Sequence, residues 1–137
     1  MNIVIIEDEF FAARRLENMI LEIDRNAKII AKLESVDESI KWFKENKHPD
    51  LIFIDIHLED DLSFSIFKAT PVNSAIVFTT ATDEVATRVF ALSGIDSIYK
   101  PITDTELEKV LDKYKKLPGN YSKPIDGSIF DKIINPN

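Results

Sequence analysis

Short apolar runs alternate along the chain with stretches of helical periodicity. Five runs have the length of strands, and the first, third and fourth are apolar almost throughout, as expected for strands buried on both faces. The predicted strands are Asn2–Ile6, Lys28–Leu33, Asp50–Asp55, Ala75–Thr79 and Asp96–Tyr99. Four other stretches carry apolar residues three or four positions apart, which predicts helices, and Leu62–Lys68 shows this pattern more weakly.

Helix boundary signals agree with this alternation. Ser35 with Glu38, and Thr103 with Glu106, have the spacing of a capping box. Gly94 follows a predicted helix end, where a left-handed residue is favoured. Strands alternating with helices imply a parallel sheet covered on both faces. Right-handed crossovers then favour an α/β fold of the doubly wound type, a three-layer sandwich.

Composition narrows the functional classes. The 137 residues suit one domain, and the absence of cysteine excludes a disulfide framework, a thiol nucleophile and any cysteine-based metal site. The net charge of −7 disfavours nucleic-acid binding by this chain alone. No apolar run is long enough to span a bilayer, and Met1 leads directly into a predicted strand rather than a signal peptide. We therefore expect a cytoplasmic protein that makes no membrane contact.

The texture of the chain changes near its C-terminus. The last 21 residues hold three of the six prolines and two of the three glycines, which predicts a domain over residues 1–117 and a tail or interdomain linker over residues 118–137. Within the tail, apolar residues recur at helical spacing, so a short helix could dock on this domain or on a partner. These residues are Ile125, Ile129, Phe130, Ile133 and Ile134.

Polar side chains follow the predicted strands. Glu7 and Asp8 come after the first strand, Asp55 ends the third, and Thr80 and Lys100 follow the fourth and fifth. The carboxyl ends of parallel strands lie along one edge of a sheet, with neighbouring strands about 4.8 Å apart. These side chains can therefore share one pocket.

Three carboxylates in one pocket cannot all stay ionised without help. At about 5 Å and an effective dielectric constant of about 20, each pair repels by roughly 3 kcal/mol. Either one carboxyl stays protonated or a cation lies among them, and oxygen ligands suit Mg²⁺. A buried carboxylate beside Mg²⁺ is a possible nucleophile toward phosphorus, and it would give an aspartyl phosphate. Lys100 and a threonine hydroxyl would then contact the phosphoryl oxygens.

Four segments on alternating strands carry a resemblance to a known family. They are IIEDE (Ile5–Glu9), LIFIDIHL (Leu51–Leu58), FTTA (Phe78–Ala81) and YKP (Tyr99–Pro101). Over about residues 1–116 the chain resembles the receiver domain of two-component response regulators. The run FTTATDEVATRVFALSGIDSIYKPI is particularly similar to receivers of LytTR-type transcription regulators.

The resemblance implies a flavodoxin-like fold with strand order 2-1-3-4-5. It also implies that Asp55 is the phosphoacceptor, that Thr80 and Lys100 contact the phosphoryl group, and that Thr79 is a core strand residue. The Lys100–Pro101 peptide bond is often cis in this family. The implied Mg²⁺ ligands are Glu7, Asp8, Asp55 and the backbone carbonyl of His57.

The sequence departs from the receiver pattern at two places. Receivers usually carry an aromatic residue three positions before the lysine, and here that position is Ser97. Tyr99 has the same strand parity but lies about 6.6 Å nearer the site, which puts the usual threonine–aromatic relay in doubt. Glu59 and Asp61 add negative charge to the loop after Asp55, where we expect them to slow phosphorylation or hydrolysis.

The leading functional hypothesis is a phosphorylation switch rather than a turnover enzyme, with at most slow autodephosphorylation. A histidine kinase would donate the phosphoryl group to Asp55, and the face of the fourth helix, fifth strand and fifth helix would change its effector contacts or homodimerisation. DNA would be reached only through an effector domain absent from this chain. The tail is either the start of an interdomain linker in a truncated chain or the end of a stand-alone receiver.

Two alternatives belong to other classes of function. A Mg²⁺-dependent phosphatase of the haloacid dehalogenase type also forms an aspartyl phosphate, but it needs a second Asp at the position that His57 occupies. A degenerate receiver would act only as an interaction module, against which the complete set of acids, threonine and lysine argues.

Overall fold

Five strands form a single parallel sheet in the computed structural model, which describes residues 1–81, 84–90, 96–116 and 127–131. The strand order is β2-β1-β3-β4-β5, so the implied order 2-1-3-4-5 is confirmed. β3 begins one residue later than predicted and β4 ends one residue later. The strands are β1 (Asn2–Ile6), β2 (Lys28–Leu33), β3 (Leu51–Asp55), β4 (Ala75–Thr80) and β5 (Asp96–Tyr99).

Five helices connect or follow the strands. At two of their N-termini the predicted cap residues are in place: Ser35 Oγ accepts from the backbone N–H of Glu38 at 3.0 Å, and Thr103 Oγ1 accepts from that of Glu106 at 3.2 Å. Gly94 lies outside the described residues. The helices are α1 (Phe10–Ile23), α2 (Val36–Glu45), α3 (Phe64–Ala69), α4 (Glu84–Phe90) and α5 (Asp104–Lys115).

The core consists of two layers, one on each side of the sheet. Because side chains alternate along a strand, Val4 and Ile6 of β1 face α2, α3 and α4, whereas Ile3 and Ile5 face α1 and α5. This arrangement confirms the three-layer sandwich. None of the helices in the described ranges is both long and apolar enough to cross a membrane.

The loop between β3 and α3 folds into a small hairpin, which explains why α3 begins after the predicted Leu62. His57 and Leu62 form an antiparallel bridge. The N–H of Ser63 donates to the carbonyl of Ile56 at 2.9 Å, and the N–H of Leu58 donates to the carbonyl of Asp61 at 3.1 Å. The first residues of the predicted helix are thus used to close the loop that follows Asp55.

Residues 127–131 pack against α3. Gly127–Phe130 forms a 3₁₀-helix, and Phe130 is completely buried in the core layer that includes α3. Its ring stacks on that of Phe64 at 4.4 Å between centroids and 10° between planes. Part of the tail therefore docks on its own domain, whereas the predicted patch residues Ile125, Ile133 and Ile134 lie outside the described residues.

Two further features fix this docked segment. A Cβ atom at Gly127 would lie 2.8 Å from the backbone N of Lys68, so only glycine fits this approach to α3. Lys68 Nζ and Asp131 Oδ1 form an ion pair at 2.5 Å on the surface. Backbone fit, aromatic packing and charge therefore all hold the segment at one position.

Candidate functional site

The carboxyl ends of β1, β3 and β5 bring two acids and a lysine into direct contact. Lys100 Nζ lies 2.8 Å from Asp55 Oδ2 and 3.0 and 3.1 Å from the two carboxylate oxygens of Glu7. Only 6% of Glu7 and 7% of Asp55 is exposed. The sequence predicted that these residues share one edge of the sheet, because each lies at the carboxyl end of a parallel strand. In the structure β1 and β3 are neighbours and β4 separates β3 from β5, and the three side chains meet at that edge.

Asp8 completes an acidic cluster with Glu7 and Asp55. One carboxylate oxygen from each of the three residues lies within 4.8 Å of the others. Asp8 is the more exposed member, which leaves a path for an ion from solvent. Carboxylate oxygens with open positions for water fit Mg²⁺, which usually binds through one or two carboxylates and retains several waters.

The electrostatics of the cluster show how crowded it is. Burial, together with the neighbouring Asp55 carboxylate, raises the pKa of Glu7 from 4.5 to about 7. Burial opposes the charge of Lys100, but its hydrogen bonds to Asp55 and Glu7 outweigh this effect and raise its pKa. Lys100 is therefore a fixed positive charge beside the carboxyl groups of Glu7 and Asp55. A divalent cation would favour the ionised form of all three acids.

Asp55 is held from two sides. Its Oδ2 accepts from Lys100, and its Oδ1 accepts from the backbone N–H of His57 at 3.2 Å. The His57 backbone thus reaches the same carboxylate from the loop after β3, the loop on which its carbonyl was expected to bind metal. Asp55 is consequently oriented before any ligand arrives, as a nucleophile needs to be.

Thr80 ends β4 with a buried hydroxyl. Only 1% of the residue is exposed, and its Oγ1 has no hydrogen-bond partner within the described part of the chain. An unpaired buried hydroxyl costs about 1–3 kcal/mol, so a ligand oxygen would be a favourable partner. Thr79 is buried as well, as expected for a core strand residue.

The pairing of β4 with β5 shows where Ser97 and Tyr99 lie relative to Thr80. Thr80 pairs with Tyr99, whereas Ser97 pairs with Phe78, two residues earlier in β4. Tyr99 is partly buried and packs against the core layer beneath α2, α3 and α4. The aromatic ring on this strand therefore lies beside the threonine itself, not two residues before it.

An apolar pocket of about 300 Å³ adjoins the site. It lies between α1 and the segment after β5, and its lining includes Phe11, Leu16, Pro101 and Ile102 together with Lys100 and Glu7. Phe11 is 72% exposed. The Lys100–Pro101 bond beside it is cis, as the resemblance implied.

Sequence analysis missed one side chain near the site. Asp60, between Glu59 and Asp61, accepts hydrogen bonds from the backbone at the start of α2. Asp61 instead accepts from Leu62 N and Ser65 Oγ, both at 2.7 Å, within its own loop and the first turn of α3. Three consecutive acids gave no signal that distinguishes the middle one, because its partners are distant in the chain.

Comparisons with known proteins identify the family of the chain. The family model described as the response regulator receiver domain matches residues 3–112. The chain belongs to this family.

The curated relatives of this chain include LytT and LytR proteins. The chain is 34% identical over 119 residues to the sensory transduction protein LytT of Bacillus anthracis, which covers 85% of this chain and 48% of that protein. It is 31% identical over 141 residues to the transcriptional regulatory protein LytR of Staphylococcus aureus strain RF122, covering 98% of this chain and 53% of the relative. The chain thus spans about half the length of the curated relatives it matches.

A solved structure supports the same conclusion. The response regulatory domain of protein mrkE from Klebsiella pneumoniae superposes with a TM-score of 0.72 at 28% identity, covering 84% of this chain and 95% of that one. The predicted flavodoxin-like fold is therefore confirmed.

Proposed function

We propose that this receiver domain accepts a phosphoryl group on Asp55 from a histidine kinase, with Mg²⁺ bound by Glu7, Asp8, Asp55 and the carbonyl of His57. The observation that carries the proposal is the contact of Lys100 with a buried Asp55, beside an acidic cluster and near the strand end that holds the unpaired Thr80 hydroxyl. Each part of this arrangement has a role in phosphoryl transfer: a nucleophile, a metal site, a positive charge and a hydroxyl donor.

The proposed reaction is a single group transfer. An Asp55 carboxylate oxygen forms a bond to phosphorus while the P–N bond to the donor histidine breaks. The electron pair stays on the imidazole nitrogen, which takes up a proton from water and leaves neutral. Lys100 and the Thr80 hydroxyl meet the charge on the phosphoryl oxygens. When bound, Mg²⁺ neutralises charge on the transferring group.

The product would act as a switch through charge. A phosphoryl group adds about −1.5 to −2 charges at neutral pH, by analogy with phosphoserine. Lys100 would then exchange its contact with Glu7 for one with the phosphoryl group, and Thr80 would gain a partner. Because Thr80 and Tyr99 are paired on adjacent strands, this change reaches the face of α4, β5 and α5. That face would alter effector contacts or self-association.

The exposed apolar surface beside the site supports a protein partner. Phe10 and Phe11 are both largely exposed at the start of α1, and Phe11 lines the pocket that Lys100 and Pro101 also line. A kinase that docks here would bring its phosphohistidine to Asp55. The LytT and LytR relatives, about twice as long, support a place within a LytTR-type transcription regulator. DNA contact would belong to the rest of such a regulator.

Chemical phosphorylation tests the acceptor. Acetyl phosphate with Mg²⁺ is expected to label the wild-type chain once, and Asp55→Asn is expected to abolish labelling. Asp50→Asn is the matched control. Asp50 lies directly before the first residue of β3, at the end of the strand remote from Asp55, and its carboxylate accepts from the backbone N–H of Asn2. Labelling that persists in Asp55→Asn would refute the assignment.

The enzyme alternative makes a different prediction. A phosphatase would hydrolyse a phosphomonoester through many turnovers, whereas a receiver would release at most its own phosphoryl group slowly. The residue two positions after Asp55 is His57, whose backbone N–H binds Asp55, so no second acid occupies the place that such phosphatases use. The residue type at this position favours the receiver assignment.

A further inference from the structure

Asp60 connects the loop after β3 to a different element, the start of α2. Its Oδ1 accepts from the backbone N–H of Val36 at 2.9 Å, and its Oδ2 accepts from that of Asp37 at 3.1 Å. The first N–H groups of a helix have no partner inside the helix, and a carboxylate there also interacts favourably with the helix dipole. Slight burial acts in the opposite direction, but these hydrogen bonds lower the pKa of Asp60, so it is ionised at neutral pH.

The contact is more than an N-cap. Helix α2 already has its own cap, because Ser35 Oγ accepts from the N–H of Glu38. Asp60 takes two other N–H groups, from a loop that is distant in the chain. Its carboxylate therefore joins two loops, and we call this pair of hydrogen bonds the Asp60 tether.

The tether meets a second connection at the junction between β2 and α2. The backbone N–H of Glu7 donates to the carbonyl of Leu33 at 2.9 Å, at the end of β2. Three residues later, Val36 donates to Asp60. This short junction consequently holds Glu7 on one side and the loop that carries His57 on the other.

Other hydrogen bonds hold the first part of the β3–α3 loop to β4 and to Asp55: the N–H of Ile56 donates to the carbonyl of Thr79, and that of His57 donates to Asp55 Oδ1, both at 3.2 Å. The bridge between His57 and Leu62, and the hydrogen bond from Ser63 to Ile56, are internal to the loop. Within the described residues, the two hydrogen bonds of Asp60 join the far part of this loop to the start of α2. Without them, residues 58–62 keep the packing of Leu58 and Leu62 in the core layer but lose this connection to α2.

We infer that Asp60 is a positioning residue for the metal site: its tether acts together with the bond from His57 to Asp55 to set the distance between the His57 carbonyl and the carboxylates of Glu7 and Asp8. The inference rests on the proposed function, in which these groups bind Mg²⁺ together. Mg²⁺ demands nearly ideal octahedral geometry, so a displaced ligand weakens its binding. Groups that orient metal ligands typically change affinity by about 10–100-fold when they are removed.

Calorimetric titration of the full chain with Mg²⁺ tests the tether directly. Asp60→Ala is expected to weaken Mg²⁺ binding about tenfold, and Asp60→Asn, which keeps one acceptor oxygen, is expected to fall between Ala and wild type. Ser35→Ala is the control for α2, because it removes the helix's own cap and leaves the tether intact. Asp61→Asn is the control for charge, because it removes one negative charge from the same loop. Both controls are expected to stay within about twofold of wild type.

Labelling with acetyl phosphate gives a second readout. For Asp60→Ala, the Mg²⁺ concentration at half-maximal rate should rise about tenfold, while the rate at saturating Mg²⁺ returns to within about twofold of wild type. A residue that only stabilises the fold would lower the rate at every Mg²⁺ concentration. If Asp60→Ala does not fold, the intermediate affinity expected of Asp60→Asn carries the test.

Several outcomes overturn the inference. Mg²⁺ affinity that is unchanged in the Asp60 variants refutes it, and so does an equal loss in Ser35→Ala or Asp61→Asn. A wild-type chain that binds no Mg²⁺ also refutes it. A wild-type chain that binds Mg²⁺ but is not labelled on Asp55 refutes the proposed phosphoryl acceptance instead, and the calorimetric comparison then decides the tether separately.

Discussion

Phe130 gives the most quantitative prediction, because its ring joins the tail to the core. It is 0% exposed and contacts Phe64, Phe67 and Phe78, with centroid distances of 4.4, 5.6 and 5.8 Å. Replacing a buried Phe by Ala typically lowers the free energy of unfolding by about 3–5 kcal/mol. Here the segment can also detach and recover the entropy of its ordered residues, which limits the loss. We therefore expect about 3 kcal/mol for Phe130→Ala, or a fall of about 10 °C in Tm.

Urea unfolding measures this loss through the fluorescence of Trp42. It is the chain's sole tryptophan and lies on α2, so it reports unfolding of the domain rather than detachment of the tail. The matched control is Ile129→Ala, because Ile129 is the adjacent residue and is 41% exposed. Its expected effect is within about 0.5 kcal/mol. A loss below 1 kcal/mol for Phe130→Ala, or equal losses for the two variants, would contradict the packing argument.

A second variant tests whether the segment docks as a unit. In Gly127→Ala the new Cβ would meet the backbone of Lys68, so the segment should detach although Phe130 is intact. Once either change has released the segment, the other has little left to remove. The double variant should therefore lose clearly less stability than the sum of the single variants. Additive losses would show that the two residues act independently.

Three further predictions concern the site. In metal-free buffer, the raised pKa of Glu7 makes the free energy of unfolding depend on pH. The contribution of the protonated carboxyl, about 3 kcal/mol, is fully present below pH 4.5 and is lost as pH rises through about 7. Chemical unfolding across pH should show this decline in the wild type and not in Glu7→Gln, and equal profiles would contradict it. Phe11→Ala should slow phosphoryl transfer from a kinase at least tenfold yet leave labelling by acetyl phosphate unchanged; equal effects on both donors would exclude the docking role. Thr80→Val removes an unpaired buried hydroxyl, so the free energy of unfolding of the ligand-free domain should rise by up to about 1 kcal/mol. The variant should also lose part of the stabilisation that Mg²⁺ and beryllofluoride give to the wild type. A ligand-free variant that is less stable than the wild type would contradict the absence of a partner for this hydroxyl.

The strands and the doubly wound class were predictable because they depend on local pattern and on general rules of chain crossing, whereas the strand order followed from the resemblance to receiver domains. Runs such as Asn2–Ile6 are apolar on both faces, and right-handed connections leave few arrangements for such strands. The convergence of Glu7, Asp55 and Lys100 followed from the same reasoning, because the ends of parallel strands share one edge. The particular contacts within the site, such as that of Lys100 with both acids, required coordinates.

Features that depend on particular contacts of the folded chain were not predictable. The start of α3 was displaced because Leu62 pairs with His57 in a hairpin, which overrides helical periodicity. Asp60 looked the same as its acidic neighbours until its partners on α2 were seen. The apolar spacing around Phe130 did suggest docking, but only the structure identifies α3 as the surface.

The docking of residues 127–131 on α3 implies that distant positions of the chain change together in evolution. Phe64 and Phe130 share one stacked contact, and Lys68 faces Gly127 and Asp131. A smaller side chain at position 64 leaves a void unless position 130 changes with it, and any side chain at position 127 requires α3 to give way. Among descendants of this sequence, exchanges in α3 should therefore be matched by exchanges beyond α5, even where the intervening residues drift freely.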